Sequence, residues 1–175
     1  MHNSQVKKIL ITGPESTGKS TVTQQLAEWY DTLWVNEYAR DYLDQLQRPY
    51  NYKDLALIAQ KQFQIQKINA DLANDYLFCD TGLEVIKVWS EFKYQTCDPW
   101  IKDHLSLQAF DLVFLMDIDL PWEYDEYRET PSKEIRELLF NTYKKELTDI
   151  YGGYHIINGT LDERLKKIKE IINQA

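Results

Sequence analysis

Cysteine and histidine are scarce in this sequence: Cys79 and Cys97 are its two thiols, and His2, His104 and His155 its three imidazoles, in 175 residues. Two cysteines cannot build a disulfide framework, and without a CxxC pair or a Cys/His cluster no zinc site is expected. No stretch approaches the ~18 consecutive apolar residues of a membrane-spanning helix. The polar start from Met1 to Lys8 lacks the apolar core of a secretion signal, so the expectation is a cytoplasmic protein with no membrane attachment. Positive charge is also short, with 20 Lys and Arg against 28 Asp and Glu and a net charge of -8. That balance excludes the basic stripe of a general nucleic-acid binder. Repeats and Gly/Ser-rich linkers are missing too, so residues 1–175 read as one domain. Aromatic side chains are plentiful by contrast: 12 Tyr, 5 Trp and 6 Phe.

Short apolar runs alternate with longer helical stretches. Ile9–Ile11, Leu33–Val35, Tyr76–Cys79, Leu112–Met116 and Tyr154–Ile157 read as five strands. A helix is expected from about Gly18 to Trp29. Another runs from Tyr52 to Ala73, where Leu55, Ile58, Ala59, Ile65, Ile68 and Leu72 recur near a 3.6-residue period. Thr81-Gly-Leu-Glu84 and Thr160-x-x-Glu163 have the spacing of capping boxes, and Asp98-Pro99 that of a cap and first helical residue. A further helix is entered through Thr130-Pro131 and extends to about Asp149. Strands alternating with helices imply an α/β fold, a five-stranded parallel sheet covered by helices on both faces.

Gly13-Pro-Glu15-Ser16-Thr17-Gly18-Lys19-Ser20 matches GxxxxGK[ST] without a gap, between an expected strand and an expected helix. A chance match in a chain of this length arises about once in two hundred sequences. Backbone N–H groups of such a loop converge on phosphate, and the following helix, from Lys19 through Ser20 and Thr21, aims its positive end at the same group. Lys19 belongs against the β- and γ-phosphates and the Ser20 hydroxyl on Mg²⁺, so ATP and Mg²⁺ are the expected cofactors and the fold is that of a P-loop NTPase. Local donors of this kind bind anions whatever the net charge. No Asn-Lys-x-Asp loop for reading guanine occurs, and the chain is short for a motor or remodelling ATPase.

A small-molecule kinase needs an acceptor site and a lid whose arginines arrive on closure. The segment from about residue 118 to 136, entered from the Leu112–Met116 strand, fits a lid, with Arg128 and Arg136 available for phosphoryl charge. Two strand-ending acids compete for the metal. Asp117 follows the more apolar strand, whereas Asp80 follows the strand expected to lie beside the P-loop strand, and Asp117 and Asp119 serve equally well as hinge acids. Glu37-Tyr38-Ala39-Arg40-Asp41 lies at the carboxyl edge of the second strand, where ligands of open α/β sheets bind, so Glu37 can take a hydroxyl proton.

GPESTGKS, NEYARDYL (Asn36–Leu43), LFCDT (Leu77–Thr81) and DLPWEYDEYR (Asp119–Arg128), in this order, resemble the ribosylnicotinamide kinase domain of NadR-type NAD-biosynthesis proteins. The resemblance runs from Ile9 to the last helix. It implies an ATP- and Mg²⁺-dependent kinase that phosphorylates the 5′-hydroxyl of nicotinamide riboside to give nicotinamide mononucleotide. Carried onto this sequence, it marks Lys19, Ser20, Glu37, Arg40, Asp41, Asp80, Trp122, Asp125 and Arg128 as site residues, with Asp80 near metal and acceptor hydroxyl. Whether Glu37 or Asp80 is the base stays open. Asn158-Gly159 matches a loop that passes beside adenine in such kinases. The family often has a second acid two positions after Asp80, where this chain has Gly82. No HxGH motif of an adenylyltransferase occurs, so the expected product is the mononucleotide rather than NAD.

The acceptor's pyridinium cation suits aromatic faces and carboxylates. The lid is acidic and carries Trp122, Tyr124 and Tyr127, of which Trp122 is the expected stacking residue. Another nucleoside or cationic thiamine is the alternative acceptor, and a non-catalytic ATP-binding module is the alternative of another class. Oligomeric state is not legible in the sequence.

Overall fold

The computed structural model describes residues 6–175. Five parallel strands form one sheet in the order β2-β3-β1-β4-β5, where β1 is Lys7–Thr12, β2 Leu33–Val35, β3 Tyr76–Asp80, β4 Leu112–Met116 and β5 His155–Ile157. Alternation along each strand divides the core. Ile9, Ile11, Phe78, Phe114 and Met116 face α1 (Lys19–Trp29) and α7 (Leu161–Ile172). Leu10, Leu77, Cys79, Val113 and Leu115 face α4 (Leu83–Tyr94) and α6 (Lys133–Tyr151). Both sheet faces are therefore buried, which is why the strands read as unbroken apolar runs. A third cluster joins α3 (Tyr52–Leu72), α4 and α5 (Pro99–Leu105), with Tyr38, Ala39 and Tyr42 of α2 (Tyr38–Gln45) packed against it.

The strand order brings β3 beside β1, with Ile11 paired to Asp80. The carboxyl ends of β1, β2 and β3 thus lie together, and the loops leaving them carry the P-loop, Glu37 and Asp80.

Two expected helix starts are corrected. Thr81 and Glu84 form no capping box, because Thr81 adopts φ 67° and Glu84 turns inward to Thr12 and the Gly82 N–H. The helix expected from Thr130-Pro131 begins at Lys133, with Ser132 as its cap, so Arg136 lies in the first turn of α6 and not in the lid loop. Thr130 is drawn instead to Glu15. The caps at Asp98 and Thr160 form as the sequence implies. The apolar stripe of α3 runs past its packing, leaving Ile68 and Leu72 exposed.

Candidate active site

The P-loop wraps between β1 and α1. At Gly13, φ is 136° and a Cβ would stand 2.9 Å from the Met116 carbonyl oxygen, so only glycine takes this path. Gly18 caps α1 at φ 76°. Thr17 Oγ1 and Lys19 Nζ both donate to the Pro14 carbonyl at 2.9 Å, folding the lysine back over the loop. Arg164, 1% exposed, braces the loop from behind. It donates to the carbonyls of Thr17 and Gly159 at 2.7 Å and pairs with Asp119. No local motif announces this arginine.

Ser20 Oγ donates to Asp80 Oδ2 at 2.5 Å, while Asp80 Oδ1 is buried without a partner among the described residues. Burial, and then the negative charge of Glu37, push the Asp80 carboxyl up to about 6 against the pull of Lys19, Ser20 and Arg40. An acceptor-rich oxygen with nothing to accept, beside a serine hydroxyl, fits a hard divalent cation. Among the described residues no group of three or more His, Cys, Asp or Glu is placed to hold a metal. One serine hydroxyl and one carboxylate suit Mg²⁺, which is typically held by one or two side chains together with substrate phosphates. Asp117, the rival acid, points elsewhere: its carboxylate accepts from the Ile118 N–H and its own N–H donates to the Ile157 carbonyl.

A cavity of about 200 Å³ opens beside the P-loop. The loop residues Gly13, Glu15, Ser16, Thr17, Gly18, Lys19, Ser20 and Thr21 form one wall, and Glu37, Arg40, Arg128 and Glu129 bring charge to the others. Tyr50, Trp89, Tyr127 and Tyr143 supply aromatic surface. Asp125 stands behind Arg40, bonded to it at 2.9 Å, and the Tyr127 N–H, followed by Arg40, holds the Asp125 carboxyl below its usual range. Arg128 Nη1 donates to the Glu123 carbonyl at 2.6 Å and to Ser16 Oγ at 3.3 Å, with no carboxylate partner among the described residues. It is the available cation of the lid.

The lid lies down on the P-loop. The Glu15 carboxylate accepts from the N–H groups of Glu129 and Thr130 and from Thr130 Oγ1, and Ser16 bonds Pro121 and Glu123. Tyr50 Oη and Lys93 meet Glu129 at 2.5 and 2.7 Å, and burial followed by Glu129 raises the Tyr50 phenol. Glu15 and Ser16 thus spend their side chains on the lid.

Several expected residues lie apart. Trp122 lines a separate open groove with Arg136 and Lys133, whereas Tyr50, Trp89 and Tyr127 line the cavity beside the P-loop. These three come from the α2–α3 loop, a helix and the lid, and an aromatic in such places reads as packing. Asp41 is exposed on α2 outside the cavity. Tyr38 packs edge-on against Tyr42, its ring in the third cluster. Asn158 and Gly159 are not cavity walls, and Gly159 is tied to the P-loop through Arg164 and to Asp119 Oδ2 at 2.6 Å. Arg136, nearly buried, donates to the Leu120 carbonyl. At Gly82 a Cβ would stand 2.5 Å from Glu84 Oε2 and 3.0 Å from the Gln108 amide, so a second acid here would require the Glu84 carboxylate to shift.

The family described as "AAA domain" matches residues 8–164. The trifunctional NAD biosynthesis/regulator protein NadR of Salmonella typhimurium is 28% identical over 175 residues, covering 97% of this chain and 42% of that protein. Its Escherichia coli counterpart is 31% identical over 145 residues, 77% of this chain and 35% of that protein. The chain therefore spans under half the length of these curated relatives. A crystal structure of NadR protein in complex with NR superposes with a TM-score of 0.80 at 19% identity, over 97% of this chain and 51% of that one. Thymidylate kinase from Ehrlichia chaffeensis superposes with a TM-score of 0.68 at 14% identity, over 95% of this chain and 98% of that one. The fold is that of the P-loop nucleoside and nucleotide kinases. Among the described residues no helix is long and apolar enough to cross a membrane. With its P-loop, its sheet order and a family match across most of its length, the chain belongs to the AAA domain family of P-loop proteins.

Proposed function

We propose that this chain is an ATP-dependent kinase that phosphorylates the 5′-hydroxyl of nicotinamide riboside, giving nicotinamide mononucleotide and ADP. The observation that carries the reading is the junction of two half-sites. Lys19, Ser20 and the unpartnered Asp80 oxygen form a donor side, and Glu37 with Tyr50, Trp89, Tyr127 and Glu129 forms an aromatic, acidic acceptor side. A pyridinium cation gains from aromatic faces and a nearby carboxylate. The relatives add support, since NadR is a NAD biosynthesis protein and one NadR crystal structure is a complex with NR.

In this reading Ser20 and Asp80 would hold Mg²⁺, which would supply charge neutralisation at the ATP phosphates when bound. Lys19 exchanges the Pro14 carbonyl for those phosphates. Glu37 takes the proton of the 5′-hydroxyl as its oxygen bonds to the γ-phosphorus, and the bond from that phosphorus to the bridging oxygen breaks, releasing ADP. Arg128 balances the charge of the moving phosphoryl group, and the closed lid keeps water from taking the acceptor's place. ADP release measured with MgATP before and after addition of nicotinamide riboside tests the assignment. Strong stimulation supports it, and a rate indifferent to the riboside contradicts it.

A further inference from the structure

Helix α3 buries two glutamines one turn apart, Gln62 at 1% and Gln66 at 5% exposure, on the face that otherwise carries Leu55, Ile58 and Ala59. Gln62 Oε1 accepts from the Tyr38 N–H at 2.7 Å and its Nε2 donates to the Asn36 carbonyl at 3.2 Å. The residue bridged by these two bonds is Glu37. Gln66 Nε2 donates to the Thr81 carbonyl at 2.8 Å, and Gln66 Oε1 accepts from Gln108 Nε2. Gln108 Oε1 in turn accepts from the Leu83 N–H at 2.8 Å. The two amides close a ring over the turn that directly follows Asp80.

That turn needs holding. Thr81 adopts φ 67°, a conformation unusual for a β-branched residue, and its N–H reaches back to the Ile11 carbonyl at 3.0 Å. Without the amides, the Thr81 carbonyl and Leu83 N–H would be buried polar groups with no partner, and the strained residue would relax. A leucine at either position of α3 would fill a similar volume and continue the apolar face. The amides are therefore specific to the loops they hold.

We propose that Gln62 and Gln66, the latter acting through Gln108, are positioning residues that fix Glu37 and Asp80 relative to one another. Two loops from neighbouring strands, β2 and β3, are both referenced to one rigid helix, whose successive turns set the amides about 5–6 Å apart along its axis. Small misplacements of reacting groups cost about 10²-fold in rate, which gives such a device its value. The proposal rests on the reading above, in which Asp80 serves the metal and Glu37 the acceptor hydroxyl.

The test compares wild type, Gln62→Leu, Gln66→Leu and the double variant Gln66→Leu/Thr81→Gly. It reads Tm, kcat with nicotinamide riboside, and Kd for ATP in Mg²⁺ and in EDTA. Gln66→Leu should lose about tenfold or more in kcat, together with most of the gain in ATP affinity that Mg²⁺ provides, while Kd in EDTA stays within about twofold. Glycine accepts the left-handed backbone freely, so the double variant should recover kcat and the Mg²⁺ gain without recovering Tm. Gln62→Leu should lower kcat and keep the Mg²⁺ gain. If Gln66→Leu does not fold, Gln108→Leu carries the same comparison. Wild-type kcat and Mg²⁺ gain in the Gln66 variant, or a loss that Thr81→Gly does not repair, overturns the proposal. Should wild type lack riboside-dependent turnover, the kinase assignment falls, and the Mg²⁺ gain still decides the positioning role.

Discussion

Arg40 Nη1 stands 2.9 Å from Asp125 Oδ2 and joins the helix behind β2 to the lid across 85 residues of sequence. The pair is partly solvent-exposed, 41% and 23%, so its contribution to stability is small. In the proposed mechanism its role is to close the lid over the acceptor cavity. Asp125→Ala is predicted to leave Tm within about 3 °C of wild type and to lower kcat/KM for the riboside about tenfold. Steady-state kinetics beside thermal melting check this, and a large fall in Tm with unchanged kinetics would move the pair from function to structure.

Lys19→Ala is predicted to lower kcat by about 10²–10³ or more, since the lysine's charge is wanted most in the transition state. Melting should change little, because among the described residues the ammonium bonds only the Pro14 carbonyl. Turnover near wild type would remove the P-loop from the mechanism.

Arg128→Ala is predicted to reduce kcat about 10²-fold with KM for ATP nearly unchanged, the signature of a contact made only in the transition state. Arg136→Ala is predicted to act differently. Its guanidinium is buried against the Leu120 carbonyl, so the variant should melt earlier and lose ATP and riboside turnover in proportion to folded protein. Melting curves and kinetics on both variants separate the two arginines.

Asp80 sets a pH dependence whose sign is unusual for an aspartate. Its folded carboxyl lies at about 6 against an ordinary 3.8, chiefly through burial, so the charged form opposes folding. The contribution of this group to stability is complete below about pH 4 and is lost as pH rises through 6. Asp80→Asn should abolish transfer yet stabilise the ligand-free protein at pH 7.5, by roughly 3 kcal/mol, with the difference shrinking toward pH 4. Denaturant unfolding at the two pH values checks it.

The sheet, the P-loop and the rivalry of Asp80 and Asp117 were legible because each rests on local pattern: apolar runs on both-face-buried strands, glycines at fixed offsets, an acid at a strand end. Strand order and the LFCDT resemblance favoured Asp80, and the structure adds its 2.5 Å bond from Ser20. Thr81 and Glu84 misled because a capping box is a statement about free local geometry, and Glu84 is claimed instead by Thr12, the residue before Gly13. Trp122 sits inside a recognisable lid motif, and its place in a groove apart from the cavity is a tertiary fact. Tyr50 and Trp89 were invisible because residues 39 positions apart come to line one cavity only in the folded chain. Gln62 and Gln66 read as polar interruptions of an apolar helix, and only their partners give them meaning.

The most direct measurement is a competition assay. The protein is incubated with MgATP and an equimolar mixture of nicotinamide riboside, thiamine and thymidine, and the phosphorylated products are identified by mass. The account predicts nicotinamide mononucleotide as the dominant product, formed with matching ADP and lost in Lys19→Ala. Phosphorylated thymidine or thiamine without the mononucleotide, or tight ATP binding with no phosphorylated acceptor at all, would contradict it.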